Sequence, residues 1–95
     1  MEINYPYVGD VGTKIQVDVG VDVSDIVSAK LIVKKPDNTI VEWIATPDTD
    51  TYVYYIVQDG DFNLAGKYYL QAYIKTNNWS GYGSITSFYV KERLS

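Results

Sequence analysis

The sequence contains no cysteine and no histidine. Disulfides, thiolate nucleophiles, imidazole bases and the usual zinc ligand sets are excluded together. The missing cysteine leaves the redox compartment open, but the fold must hold by packing alone. Long apolar runs are absent too. No stretch approaches the roughly 20 apolar residues of a membrane helix, so membrane insertion is not expected. The opening MEINYPYVGD has no basic region followed by an apolar run, so it is not a secretory signal. The Met1 start reads as a complete small gene product made in a cytoplasm. Positive charge is in short supply, with 8 Lys and Arg against 12 Asp and Glu. The basic residues are scattered along the sequence and the net charge is −4. A phosphate backbone is repelled on average, which argues against nucleic acid as a partner.

What is present is aromatic and β-branched. The 95 residues include ten tyrosines and are 46% hydrophobic, which excludes a disordered composition. The length fits one domain spanning residues 1–95, able to hide roughly 60–70% of its unfolded surface. Turn residues recur every eight to twelve positions and no long segment has helical periodicity, so an all-β domain is expected.

Seven extended segments can be read. Ile3 to Val8, broken by Pro6, suits an edge strand. Thr13 to Val21 alternates, with Ile15, Val17, Val19 and Val21 on one face. Ser24 to Val27 reads as a helical turn or loop crossing between sheets. Residues 28–46 form a hairpin around Lys35-Pro36-Asp37-Asn38-Thr39, with Pro36 fixing a type I turn and Asn38 left-handed. That turn pairs Val33 with Val41, Leu31 with Trp43 and Ala29 with Ala45, an apolar face expected to be the core. Thr46 to Asp50 reads as a polar turn. Thr51 to Gln58 is apolar on both faces, so periodicity leaves its inward side open. Lys67 to Lys75 directs Tyr68, Leu70, Ala72 and Ile74 one way and Tyr69, Gln71, Tyr73 and Lys75 the other. Thr76 to Gly83 reads as a loop. Ser84 to Lys91 directs Thr86, Phe88 and Val90 inward.

Seven such strands are the pattern of an immunoglobulin-like antiparallel β-sandwich. The fibronectin-III-like variant fits best, with the third, fourth, sixth and seventh strands sharing a sheet. Trp43 falls on the fourth strand, so the antibody-type tryptophan is not matched. Leu70 stands where antibody domains place a cysteine. Tyr68 is either a tyrosine corner that bonds back to upstream backbone or one more strand tyrosine. Leu64 is expected to plug the core beside it.

The outward positions of that four-stranded sheet are Ile32, Ile40, Ile44, Tyr69, Tyr73, Ile85 and Tyr89, with Trp79 and Tyr82 in the loop at one end. One contiguous aromatic face of this kind suits a protein interface, with Tyr69, Tyr73, Trp79, Tyr82, Tyr89, Ile32 and Ile44 as contact residues. Two other readings stay open. Strands use aromatics in any case, and Lys30, Lys34, Glu42, Gln71 and Lys75 interrupt the patch. Sugar could also stack on Trp79, Tyr82 and Tyr73, as in a glycan- or cell-surface-binding module.

Catalytic chemistry finds little purchase. Asp48 with Asp50, and Asp59 with Asp61, are loop carboxylate pairs that could supply calcium ligands, but aspartate is also a default turn residue. Ser80, Ser84 and Ser87 have no histidine base. Gly81-Tyr82-Gly83 is not followed by a helix that would cradle phosphate. Asn78-Trp79-Ser80 matches the loose N-x-S form, which matters only in a secretory pathway. No enzyme and no cofactor are expected.

Three stretches together resemble a known family. LIVKKPDNTIVEWIA is similar to the strand, Lys-Pro-Asp-Gly turn and Trp strand of immunoglobulin-like domains in bacteriophage tails and baseplates. YVYYIVQDGDFNLAGKYYLQAYI resembles their Tyr-rich strand followed by Gly-x-Tyr-x-Leu-x-Ala. NNWSGYGSITSFYV resembles their Trp loop and closing Phe-x-Val strand. The likeness covers residues 13–91 and is nearest to the N-terminal domains of baseplate upper proteins. It departs at Asn38, where the family favours Gly, and at Phe62, where it favours Leu. The resemblance implies a non-enzymatic virion structural protein, made in the host cytoplasm. Its implied partners are other virion proteins or further copies of itself.

Overall fold

The computed structural model describes residues 6–94. Among them are two antiparallel sheets and a single 3-10 turn. The strands are β1 (Lys14–Asp18), β2 (Ile26–Lys34), β3 (Ile40–Ile44), β4 (Thr46–Pro47), β5 (Tyr52–Ile56), β6 (Gly66–Thr76) and β7 (Ser80–Val90). One sheet has the order β1-β5-β4 and the other β3-β2-β6-β7. The arrangement is that of a β-sandwich, and the four-stranded sheet holds the segments expected to share it.

The hairpin of β2 and β3 forms with the register its turn dictates. Leu31 faces Trp43 and Val33 faces Val41. Asn38 is left-handed at φ 71°, and the Lys35 amide donates to the Thr39 carbonyl at 2.9 Å. Asp37 accepts the Thr39 amide at 3.0 Å, and hydrogen bonding from the Thr39 side chain, then from its amide, lowers the Asp37 pKa. Leu31, Val33, Val53 and Val57 are fully buried between the sheets. Each stabilises the fold by about 1.5–3 kcal/mol of removed apolar surface.

The middle of the core is aromatic. Trp43 stacks on Tyr55 with ring centres 4.7 Å apart. Phe62 packs against Trp43, Tyr68 and Phe88 at 6.1, 5.6 and 5.8 Å. Phe62, not Leu64, plugs the core before the corner, since Phe62 is buried and Leu64 only half-buried. Leu64 serves through its backbone. The Tyr68 hydroxyl donates to its carbonyl at 2.8 Å and accepts its amide at 3.3 Å. Tyr68 is therefore a corner residue that ties the β5–β6 connection down. Gly66 precedes it at φ 133°, with its α-carbon so close to Pro36 that a Cβ would lie 2.9 Å from Pro36 Cγ. Glycine is required there because both the dihedral and the approach exclude a side chain.

Several expectations change. The edge strand over Ile3 to Val8 lies partly outside the described residues. Within them, Tyr7 forms a parallel bridge to Lys91. The strand expected over 13–21 is shorter, Lys14–Asp18, because the chain turns away at Gly20, φ 72°. The turn over 46–50 contains the two-residue β4, placed at a sheet edge where proline is tolerated. The 3-10 turn Val23–Asp25 makes the expected crossing, capped by Asp22 accepting the Ser24 amide at 2.9 Å. Val53 on β5 and Val57 just past its end flank an inward Tyr55, which settles the side left open. The supposed loop over 76–83 is mostly strand, with only residues 77–79 connecting β6 to β7. Thr86 points inward by alternation yet is exposed. Among the described residues no opposing strand covers it, and a groove of about 840 Å³ opens there between β1 and β7, lined by Ile15, Val17, Ala72 and Thr86.

Candidate interaction surface

The outer face of the four-stranded sheet follows from register. Tyr69, Gln71 and Tyr73 on β6 lie opposite Ser87, Ile85 and Tyr82 on β7. Lys34, Ile32 and Lys30 on β2 flank them, and Ile40, Glu42 and Ile44 on β3 close the row. Exposure on this face is high for apolar residues: Ile44 73%, Ile85 65%, Ile40 62%, Tyr82 62%, Tyr89 52% and Tyr69 41%. Ile32 and Tyr73 are half-buried. A shallow apolar depression sits among Ile32, Ile40, Tyr69 and Ile85.

The sheet brings together six of the seven expected contact residues: Ile32, Ile44, Tyr69, Tyr73, Tyr82 and Tyr89. Tyr82 joins them because a bulge between Gln71 and Tyr73 lets β7 continue past it. The Tyr73 and Tyr82 rings meet at 4.9 Å. Trp79 does not join. Gly81 pairs with Ile74, whose side chain points inward, so a Cβ on Gly81 would point inward as well. That position lies 2.6 Å from Trp79 Cζ2. The indole therefore covers Gly81 from the inner side of β7, while remaining 51% exposed. A sugar platform of Trp79, Tyr82 and Tyr73 does not form, because β7 separates the first from the other two.

The lysines do more than interrupt the patch. Lys30 Nζ lies 5.4 Å from the Tyr73 ring centre and 3.1 Å from Glu42. Lys67 Nζ lies 5.3 Å from Tyr69 and 5.8 Å from Tyr89. Their stems lie along the rings and their charges remain at the surface. Sequence reasoning missed Lys67 as a face residue, although its alternation with Tyr69 could have placed it there.

Two of the four loop carboxylates, Asp48 and Asp61, are occupied with the fold. Asp48 accepts from Lys14 Nζ at 3.1 Å and from Gln16 Nε2 at 3.2 Å. Asp61 accepts the Gln58 amide at 2.7 Å and the Tyr55 hydroxyl. Burial, reinforced by that carboxylate, pushes the Tyr55 phenol well above its ordinary value. Among the described residues no three acidic side chains converge as a metal site would require.

A scan against protein-family models, a search of curated proteins and a search of solved structures each found no match.

Proposed function

We propose that this chain is a non-enzymatic assembly module of a phage or phage-derived tail or baseplate, an immunoglobulin-like domain of fibronectin-III-like build. It binds other virion proteins through the outer face of its four-stranded sheet. The observation that carries this reading is the row of exposed isoleucines and tyrosines on that face. Soluble monomers rarely leave contiguous apolar area beyond a few hundred Å² uncovered. The build is supported by the strand grouping, by the Tyr68 corner and by the bridge of Tyr7 to Lys91. The absence of an imidazole and a thiol, and the structural duties of Asp48 and Asp61, support a role without catalysis.

The test is particle incorporation. A tagged chain expressed in the producing cell should co-sediment with particles in a density gradient. The Tyr73→Ser/Tyr89→Ser variant should stay in the soluble fraction while melting near the wild-type temperature. Equal sedimentation of both proteins, in either fraction, would count against the reading.

A further inference from the structure

Charge is distributed unevenly over this molecule. Among the described residues, the outer face of the four-stranded sheet carries Lys30, Lys34, Lys67 and Lys75 against the single carboxylate of Glu42. Four positive and one negative charge give this face +3. The whole chain is −4, so the remainder carries −7. Much of that acid gathers at one end of the three-stranded sheet. Asp18 ends β1, and Asp22, Asp25, Asp48 and Asp50 lie on the connections that follow β1 and β4, held together by bonds from the Val19 amide to Thr51 and the Val23 amide to Asp50, each 2.8 Å. Lys14, paired with Asp48 at 3.1 Å, offsets one of these five charges and leaves −4. Beside them the outer face of β5 exposes Tyr52 and Ile56. One molecule thus presents a basic aromatic face and, at one end of the other sheet, an acidic surface with its own apolar residues.

We infer that the partner of the basic face is the acidic three-stranded sheet of a second copy, joined head to tail. This rests on the reading of the basic face as a protein-binding surface. Charge decides the mode. A two-fold contact would set +3 against +3, and like charges across an interface oppose it. A heterologous contact pairs opposite charges and repeats, giving a ring or an open stack. Net repulsion between copies is screened beyond about 8 Å at physiological salt, while facing patches in contact still attract. The face is roughly 15–20 Å by 35 Å from strand spacing and rise, or about 600 Å², below the ~800 Å² per partner of a stable complex. Association should therefore be weak and concentration-dependent.

The experiment is sedimentation equilibrium from micromolar to millimolar protein, with two variants. Lys34→Glu/Lys67→Glu spoils the basic face. Asp50→Asn/Tyr52→Lys spoils the acidic one and leaves the left-handed Asp50 position tolerable. Each variant alone should be monomeric with an unchanged circular dichroism spectrum. Mixed one to one they should form a dimer and nothing larger, because each retains the surface the other lacks. Wild-type association should weaken about tenfold or more in Kd between 50 and 500 mM NaCl. If the acidic-face variant still dimerises alone, the contact is two-fold and the inference falls. A wild-type monomer at every concentration also overturns it, while the particle experiment still judges the broader reading. If a face variant unfolds, the salt series on wild-type protein decides: association insensitive to salt refutes the charge argument.

Discussion

Tyr68→Phe isolates the corner. The phenylalanine keeps the ring, which lies edge-on to Phe62 at 5.6 Å and stacks on Phe88 at 5.5 Å. Only the hydroxyl is lost, and with it the bonds to the Leu64 carbonyl at 2.8 Å and amide at 3.3 Å. A net hydrogen bond contributes about 0.5–1.5 kcal/mol, and a buried group left unsatisfied costs about 1–3 kcal/mol. Leu64 is half-buried, so water can reach part of the vacated backbone. The expected loss is about 1–2 kcal/mol, toward the lower end of that range. For a domain of this size each kcal/mol lowers Tm by roughly 4–8 °C, so a fall of about 5–15 °C is expected. Urea unfolding followed by tyrosine and tryptophan fluorescence should show a lower midpoint with an unchanged slope, since the exposed area does not change. An unchanged midpoint would mean that the hydroxyl is solvated and the corner contributes nothing to stability.

Gly66→Ala should cost about 1–3 kcal/mol, read by the same urea assay, because φ 133° and the Pro36 ring both oppose a Cβ. A neutral result would show that the hairpin turn can withdraw. Gly81→Ala should leave the midpoint nearly unchanged but shift the emission of Trp79, whose exposed ring can swing off β7. Trp79→Phe identifies its share of the signal against buried Trp43. Burial raises the pKa of Tyr55 and of Tyr68. Above about pH 10 the unfolded chain gives up protons that these two native phenols retain, so stability is present below that pH and falls as pH rises beyond it. Absorbance titration of phenolate should find two tyrosines that ionise only as circular dichroism is lost. Their ionisation in a still-folded chain would contradict the burial argument.

Legibility in the sequence followed local determinism. The β2–β3 hairpin was readable to the residue, because Pro36 and Asn38 fix the turn and the turn fixes the register. The side chosen by β5 was not, because both faces are apolar. It is settled by pairing Val17 with Val53 and by Lys14 lying over the outward Tyr54 ring at 4.8 Å. Asn77, Asn78, Gly81 and Gly83 are turn formers, yet β7 runs through both glycines. Pairing with the long β6 outweighs their low strand propensity. The outward tyrosines and isoleucines were legible through alternation, except Tyr82, which reaches the face through the bulge between Gln71 and Tyr73. The side on which Trp79 lies depends on the empty space over Gly81, which no period encodes. The basic character of the face was hidden for a different reason. A net charge averages over the chain, and the four lysines converge only once β2 and β6 are in register.

The central claim is that the outer face of the four-stranded sheet is where this chain assembles. Hydroxyl-radical footprinting, read residue by residue by mass spectrometry, tests it most directly on the isolated chain and on the chain within particles. The account predicts that Tyr69, Tyr82 and Tyr89 label readily in isolation and are protected in the particle, while exposed Tyr7 labels in both. Equal labelling of the three sheet tyrosines in both states would contradict it.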